Sequence, residues 1–187
     1  EWLEGEFWKA NSAIALMAVD DFNARSADIV ADLANYGITE CPVILNGTLF
    51  DTGYQAHNGV KQYTRSYSDP DVEFDAIVGA ARSAVSGPIA TLAGIDNVPQ
   101  ISYWSTSASL EDKGSYPYFL RTIPSDSAVS YGAAQLFSDY GYSNVGILYV
   151  NDAYGQAYAD GFISNCAEFE ITVTAKGFSY DNQASID

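Results

Sequence analysis

The chain has 187 residues, enough for one or two compact domains, and its 48% apolar and 14% aromatic content excludes a disordered segment. Twenty-four acidic residues against eight basic ones give a net charge of -16, dispersed along the chain rather than gathered in a tail. Such a surface repels phosphate backbones and anionic lipid heads, which argues against a nucleic-acid partner and suits an extracellular or saline medium; halophilic adaptation is the competing reading. No stretch approaches the ~20 apolar residues of a bilayer span, and no basic-then-apolar leader opens the chain. The sequence starts inside a helical pattern and stops at Asp187 without a closing element, so a piece of a longer protein is expected.

In chain order, "GEFWKANSAIALMAVDDFNAR" predicts a helix with Ile14, Met17, Ala18 and Phe22 at helical spacing. A weaker helical piece covers about residues 28–35 and ends at Gly37. "PVILNGTLFD" reads as a strand. It carries Asn46 in an Asn-Gly-Thr triplet, a glycosylation acceptor pattern that also occurs often by chance. "GYQAHNGVKQYTRSY" reads as a helix despite Gly59. "FDAIVGA" is a short continuous apolar strand of the type buried on both faces of a parallel sheet. "SAVSGPIATLAGI" follows as a helix with Pro88 early in it, and "VPQISY" is the next strand.

"YPYFLRTIPSD" reads as an extended, proline-punctuated connector and the best boundary in the chain. Beyond it, "SAVSYGAAQLFSDYG" is a helix with Asp126 or Ser127 as N-cap. "NVGILYV" reads as a buried strand, "AYGQAYADGFISNCAEF" as a helix and "EITVTAKGF" as a final strand. The alternation predicts an α/β fold, parallel sheets with crossover helices on both faces. Cys41 and Cys166 form no disulfide framework and no C-x-x-C motif; pairing with each other, pairing elsewhere and free thiols all remain open.

Catalytic patterns are absent from the sequence. The single histidine, His57, lies on an ordinary amphipathic helix, and no G-x-S-x-G elbow, phosphate-cradling glycine loop or zinc-ligand spacing occurs. An enzyme is therefore not expected, and no cofactor is called for. Asp69, Asp71, Glu73 and Asp75 are the densest acid group, but without EF-hand spacing they read as a solvated loop.

Parallel α/β sheets bind ligands beyond the carboxyl ends of their strands, which selects the junctions at residues 80–83, 104–107, 124–126 and 151–154. Ser83 would add a hydroxyl to the free N–H groups and positive dipole end of a helix start, a setting that favours a carboxylate. Thr106 would donate a second time. Asp126 would accept from an ammonium group, and the Tyr154 ring would cover it. Together they fit an α-amino acid. Singly, Ser83 and Asp126 also read as N-caps, Thr106 as a turn residue and Tyr154 as packing.

Four segments, "MAVDDFNAR", "IVGAARSAVS", "VPQISYWSTSASLEDKGSYPYFLRTIPSD" and "YGYSNVGILYVNDAYGQAYADGF", together resemble the ligand-binding region of the type I periplasmic-binding-protein superfamily. Within it they are most similar to the receptor branch, the extracellular Venus-flytrap modules of metabotropic glutamate, GABA type B and natriuretic-peptide receptors. The resemblance runs over about residues 15–174 and is most specific over 98–162. It implies a partial bilobed fold, with residues 1–121 in a first lobe lacking the family's first strand and 122–187 opening a second.

The resemblance also implies ligand contacts for Ser83, Thr106, Asp126 and Tyr154. Arg82, Trp104 and Ser105 stand where the family has smaller residues, and they join the candidate set as points where the ligand would differ. The implied protein is a G-protein-coupled receptor on the extracellular side of the plasma membrane. It would take an amino-acid-like ligand and dimerise through first-lobe helices, with membrane contact only through other parts of the parent chain. A secreted or periplasmic solute-binding protein feeding a transporter is the alternative. The insertion "SADIVADLANYGITEC" departs from compact bacterial binding proteins and favours the receptor.

Overall fold

The computed structural model describes residues 2–28, 30–72 and 75–179, with side chains from residue 10 onward. They fall into two compact units, Glu1–Phe50 and Asp51–Asp187.

The first unit is built on helix α1 (Trp2–Asn23), whose residues Ile14 and Met17 are 62% and 55% exposed. Two 3-10 turns follow, Ala31–Tyr36 and Ile38–Glu40. Gly37 between them has φ +70°, in the left-handed region, and a Cβ there would meet nothing within 4 Å. The backbone conformation, not crowding, is what asks for glycine at this position. Ile38 is buried beneath the turns.

Residues 42–51 were expected to form a strand, and they do not. Among the described residues no neighbouring strand offers this segment a ladder. Side chains of α1's end take its polar groups instead. The Asn23 carboxamide donates to the Leu45 carbonyl and accepts from the Leu45 N–H, both at 2.8 Å. Arg25 donates to the Val43 carbonyl at 2.7 Å. The carboxamide thus imitates one rung of a sheet, which satisfies the backbone locally but does not propagate.

The second unit runs α2 (Ala56–Tyr67), β1 (Ile77–Val78), α3 (Ser83–Asp96), β2 (Gln100–Ser102), a 3-10 turn (Ala108–Glu111), β3 (Phe119–Arg121), α4 (Asp126–Asp139), β4 (Asn144–Val150), α5 (Ala153–Glu168) and β5 (Thr172–Phe178). Strands β1-β2-β3 make one parallel sheet, with Gln100 opposite Phe119. Strands β4 and β5 make a second parallel pair, in register from Asn144↔Thr172 to Val150↔Phe178. The architecture is α/β with parallel sheets, a partial fold of the periplasmic-binding-protein type.

Gly59 lets α2 and α3 approach closely. A Cβ there would lie 2.8 Å from Ile89 Cδ1 and 3.0 Å from Val85 Cγ1. Around that contact Tyr63, Val85, Ile89, Ala93 and Val98 form a core. The Tyr63 hydroxyl donates to Asp96 at 2.7 Å, and burial first, then that bond, pushes its pKa well above the ordinary phenol value. A second core of Ala134, Phe162, Cys166 and Ile171 lies between α4, α5 and the β4–β5 pair.

Several local expectations are corrected. The supposed connector contributes β3, because Phe119 turns into the core between Pro117 and Pro124 while its backbone pairs with Gln100. Strands β1 and β4 are less buried than expected: β1, read as buried on both faces, is only Ile77–Val78 with Val78 73% exposed, and β4 packs Val145 and Ile147 against α5's core while Leu148 on its other face is 73% exposed. The N-cap of α4 is Ser125, whose hydroxyl accepts from Ser127 N–H, so Asp126 is the first helical residue and not the cap. The N-cap position of α3 is held by Arg82, not Ser83. Both cysteines are free thiols, and burial raises the pKa of Cys166.

Candidate functional site

The hydroxyl residues at and just after the end of β2 divide into an inward and an outward set. The Ala80 carbonyl, two residues beyond β1, accepts from Ser102 at 2.6 Å, Ser86 at 3.0 Å and Ser105 at 3.1 Å. Ser105 Oγ also lies 3.1 Å from the Ala81 carbonyl and 2.8 Å from Ser86 Oγ. A hydroxyl has one proton, so these contacts share it while the lone pairs accept. Ser102 Oγ accepts in turn from the N–H groups of Trp104 and Ser105. Ser102 and Ser105 are fully buried, and they tie the β2 turn to the start of α3.

Thr106 belongs to the outward set. Its hydroxyl meets the Tyr154 phenol, and its carbonyl accepts from the Asp126 N–H at 2.9 Å. Three of the expected site residues therefore converge: Thr106 from the β2 turn, Asp126 from the start of α4 and Tyr154 from the start of α5. Burial first, and then the Asp126 charge, raises the Tyr154 phenol, while the Thr106 bond pulls the other way. Tyr158, one helical turn on, is raised by the same two causes. Asp126 Oδ2 is buried and has no hydrogen-bond partner among the described residues. Beside it a cavity of about 180 Å³ opens between α4 and α5, lined by Ser127, Ser130, Tyr158 and Asn165 among others.

Ser83 joins through one link: its hydroxyl, 6% exposed as a residue, accepts from the Ser107 N–H at 3.2 Å. No side chain caps α3 there. Arg82 turns away from α3 and donates to Asp152 Oδ2 at 2.7 Å, with its guanidinium 5.9 Å from the Tyr54 ring centre. Asp152 Oδ1 caps α5, accepting from Tyr154 N–H at 3.0 Å and Gly155 N–H at 2.9 Å. Trp104 is half-exposed on the turn. Asn46 lies exposed in the first unit, apart from this constellation, and His57 is exposed on α2.

A second knot braces the start of α4. Glu111 accepts from Arg121 at 3.0 Å and from the Ser127 hydroxyl at 3.1 Å. Hydrogen bonding from Ser125 is the main cause that holds its carboxyl below the ordinary value, with Ser127 and Arg121 assisting and burial opposing. Arg121 also donates to the Ser107 carbonyl at 2.9 Å.

Tyr158, Ser86, Ser102 and Glu111 were not singled out by the sequence, and Asp152 only as part of the 151–154 junction. Only Asp152 left a usable signal, an acid directly before a helical run, which is an N-cap pattern. Among the described residues no group of three His, Cys, Asp or Glu is placed to hold a metal; Glu73 of the acidic stretch lies outside them.

The model of the family described as "receptor family ligand binding region" matches residues 12–187. The chain belongs to this family. Among curated proteins, this ligand-binding region is 31% identical over 134 residues to G-protein coupled receptor family C group 6 member A of Carassius auratus, covering 67% of this chain and 15% of that receptor. It is 35% identical over 99 residues to metabotropic glutamate receptor-like protein E of Dictyostelium discoideum, covering 53% of this chain and 12% of the relative. The human extracellular calcium-sensing receptor is 35% identical over 98 residues, 52% of this chain and 9% of the receptor. The region thus spans 9 to 15% of the length of these relatives. It is a ligand-binding domain like those of class C G-protein-coupled receptors, and these relatives are receptors, not enzymes.

Proposed function

We propose that this domain takes an α-amino acid, or a closely related carboxylate, among the starts of α3, α4 and α5, and that its closure on the ligand is the signal. The observation that carries this reading is Asp126: a buried carboxylate oxygen without a partner, beside two phenols and a hydroxyl. An ammonium group would supply the missing donors and charge. At the other end, the Ser83 hydroxyl and the uncapped start of α3 suit a carboxylate. Thr106 and Tyr154 lie between. Arg82 and Trp104 border the site, and Ser105 holds the turn from inside.

In this reading residues 1–121 belong to one lobe and 122–187 open the other. The parent is a receptor on the extracellular side of the plasma membrane, signalling through G proteins. It dimerises through first-lobe helices, for which the exposed apolar residues of α1 are suited. Asn46, exposed in its triplet, carries a glycan. Ligand favours the closed state only by the contacts it gains there.

The test is thermal shift of the full two-lobe chain with a panel of amino acids and small carboxylates. At least one amino acid raises Tm, and Ser83→Ala, Thr106→Ala and Asp126→Asn each weaken that ligand by about tenfold or more, as for hydrogen bonds to charged groups. Shifts that survive all three substitutions overturn the site.

A further inference from the structure

The Arg82–Asp152 ion pair joins two strand-to-helix junctions that belong to different sheets. Arg82 follows β1 and stands at the N-cap position of α3, where the positive end of the helix dipole is unfavourable for a cation. Its guanidinium is drawn instead to Asp152, which follows β4. Asp152 divides its two oxygens, Oδ1 for the start of α5 and Oδ2 for Arg82. The Tyr54 ring lies against the guanidinium. The side chains are 36% and 20% exposed, so salt screens the pair less than a fully exposed one.

Both partners come from the chain itself, so the contact uses no atom of a ligand. We propose that Arg82 and Asp152 are a ligand-independent latch that holds these junctions together and populates the closed arrangement before ligand arrives. The inference rests on the closure reading above. Apparent affinity scales with the population of the binding-competent state, so the latch raises ligand affinity and basal signal by the same factor as it raises the closed population, while that population remains the minor one.

The experiment uses the full receptor chain with fluorophores at two exposed positions, Arg65 on α2 and Asp160 on α5. Energy transfer in ligand-free buffer reads the closed-to-open ratio. Arg82→Ser and Asp152→Asn each lower that ratio roughly two- to fivefold, the span of partly exposed ion pairs. The double variant falls no further than either single one, because the two side chains act as one contact. Asp152→Asn keeps an oxygen to cap α5, so its effect is not loss of the helix start. Salt at about 1 M lowers the wild-type ratio toward that of the variants and leaves the variants unchanged. Unchanged ratios in both single variants, or additive losses in the double, overturn the latch. Adding the amino-acid panel is a separate arm: if none moves the wild-type ratio, the ligand reading fails, while the ligand-free comparison still decides the latch.

Discussion

Ser105 and Thr106 are adjacent, and the turn after β2 sends their hydroxyls to opposite tasks. Ser105 is buried among carbonyls that follow β1, and Thr106 faces the Tyr154 phenol. The two substitutions should therefore separate stability from binding. Ser105→Ala removes a buried donor, but the Ala80 carbonyl keeps Ser86 and Ser102, so the expected loss is about 1 kcal/mol in urea unfolding. Thr106→Ala leaves the fold within about 0.5 kcal/mol, as for a position away from the core, and its effect appears in ligand titrations. The sequence showed a run of hydroxyls after a strand. It did not show which of them point inward, because alternation breaks down in a turn and orientation is set by the carbonyls that follow β1.

At the scale of elements, the junction of β4 with α5 holds Gly155, the most closely approached of the glycines from Gly37 onward. A Cβ on Gly155 would lie 2.0 Å from the Val150 carbonyl oxygen, a backbone atom that cannot swing away. Gly155→Ala is expected to cost about 3 kcal/mol or more, the upper range for overpacking, and to lower Tm accordingly. Gly132, inside α4, is the control, since a Cβ there meets nothing within 4 Å. Gly132→Ala should stabilise by about 0.5–1 kcal/mol through helix propensity and a less flexible unfolded chain. Helices α1 to α5 were legible, since their apolar spacing is a local property, whereas the helical piece expected at about residues 28–35 is instead a 3-10 turn over Ala31–Tyr36. Strand β3 was not, because Phe119–Arg121 becomes a strand only when β2 lies beside it.

For the whole molecule, Glu111 links the 3-10 turn, β3 and the start of α4, and so ties the two sheets' connections together. Its carboxyl titrates below the ordinary value when folded. Its contribution to stability is therefore full above the unfolded pKa and is lost as pH falls through the lowered folded one. Glu111→Gln should lower Tm at neutral pH and shrink the gap from wild type as pH falls through that range. A gap that stays constant down to the acid limit would show that the charge does not brace this connection.

The sequence by itself determined the helices, the parallel α/β class and the receptor family, because these follow from periodicity and from motifs in a fixed order. It also named Thr106, Asp126 and Tyr154, which the fold then gathered. Tertiary structure alone decided that residues 42–51 form no strand, that Ser105 faces inward and that Arg82 reaches Asp152, 70 residues away. Each of these outcomes depends on a partner distant in sequence. A backbone without a neighbour makes no ladder, a hydroxyl turns to the nearest unsatisfied carbonyl, and a cation repelled by one helix start settles on the acid that caps another.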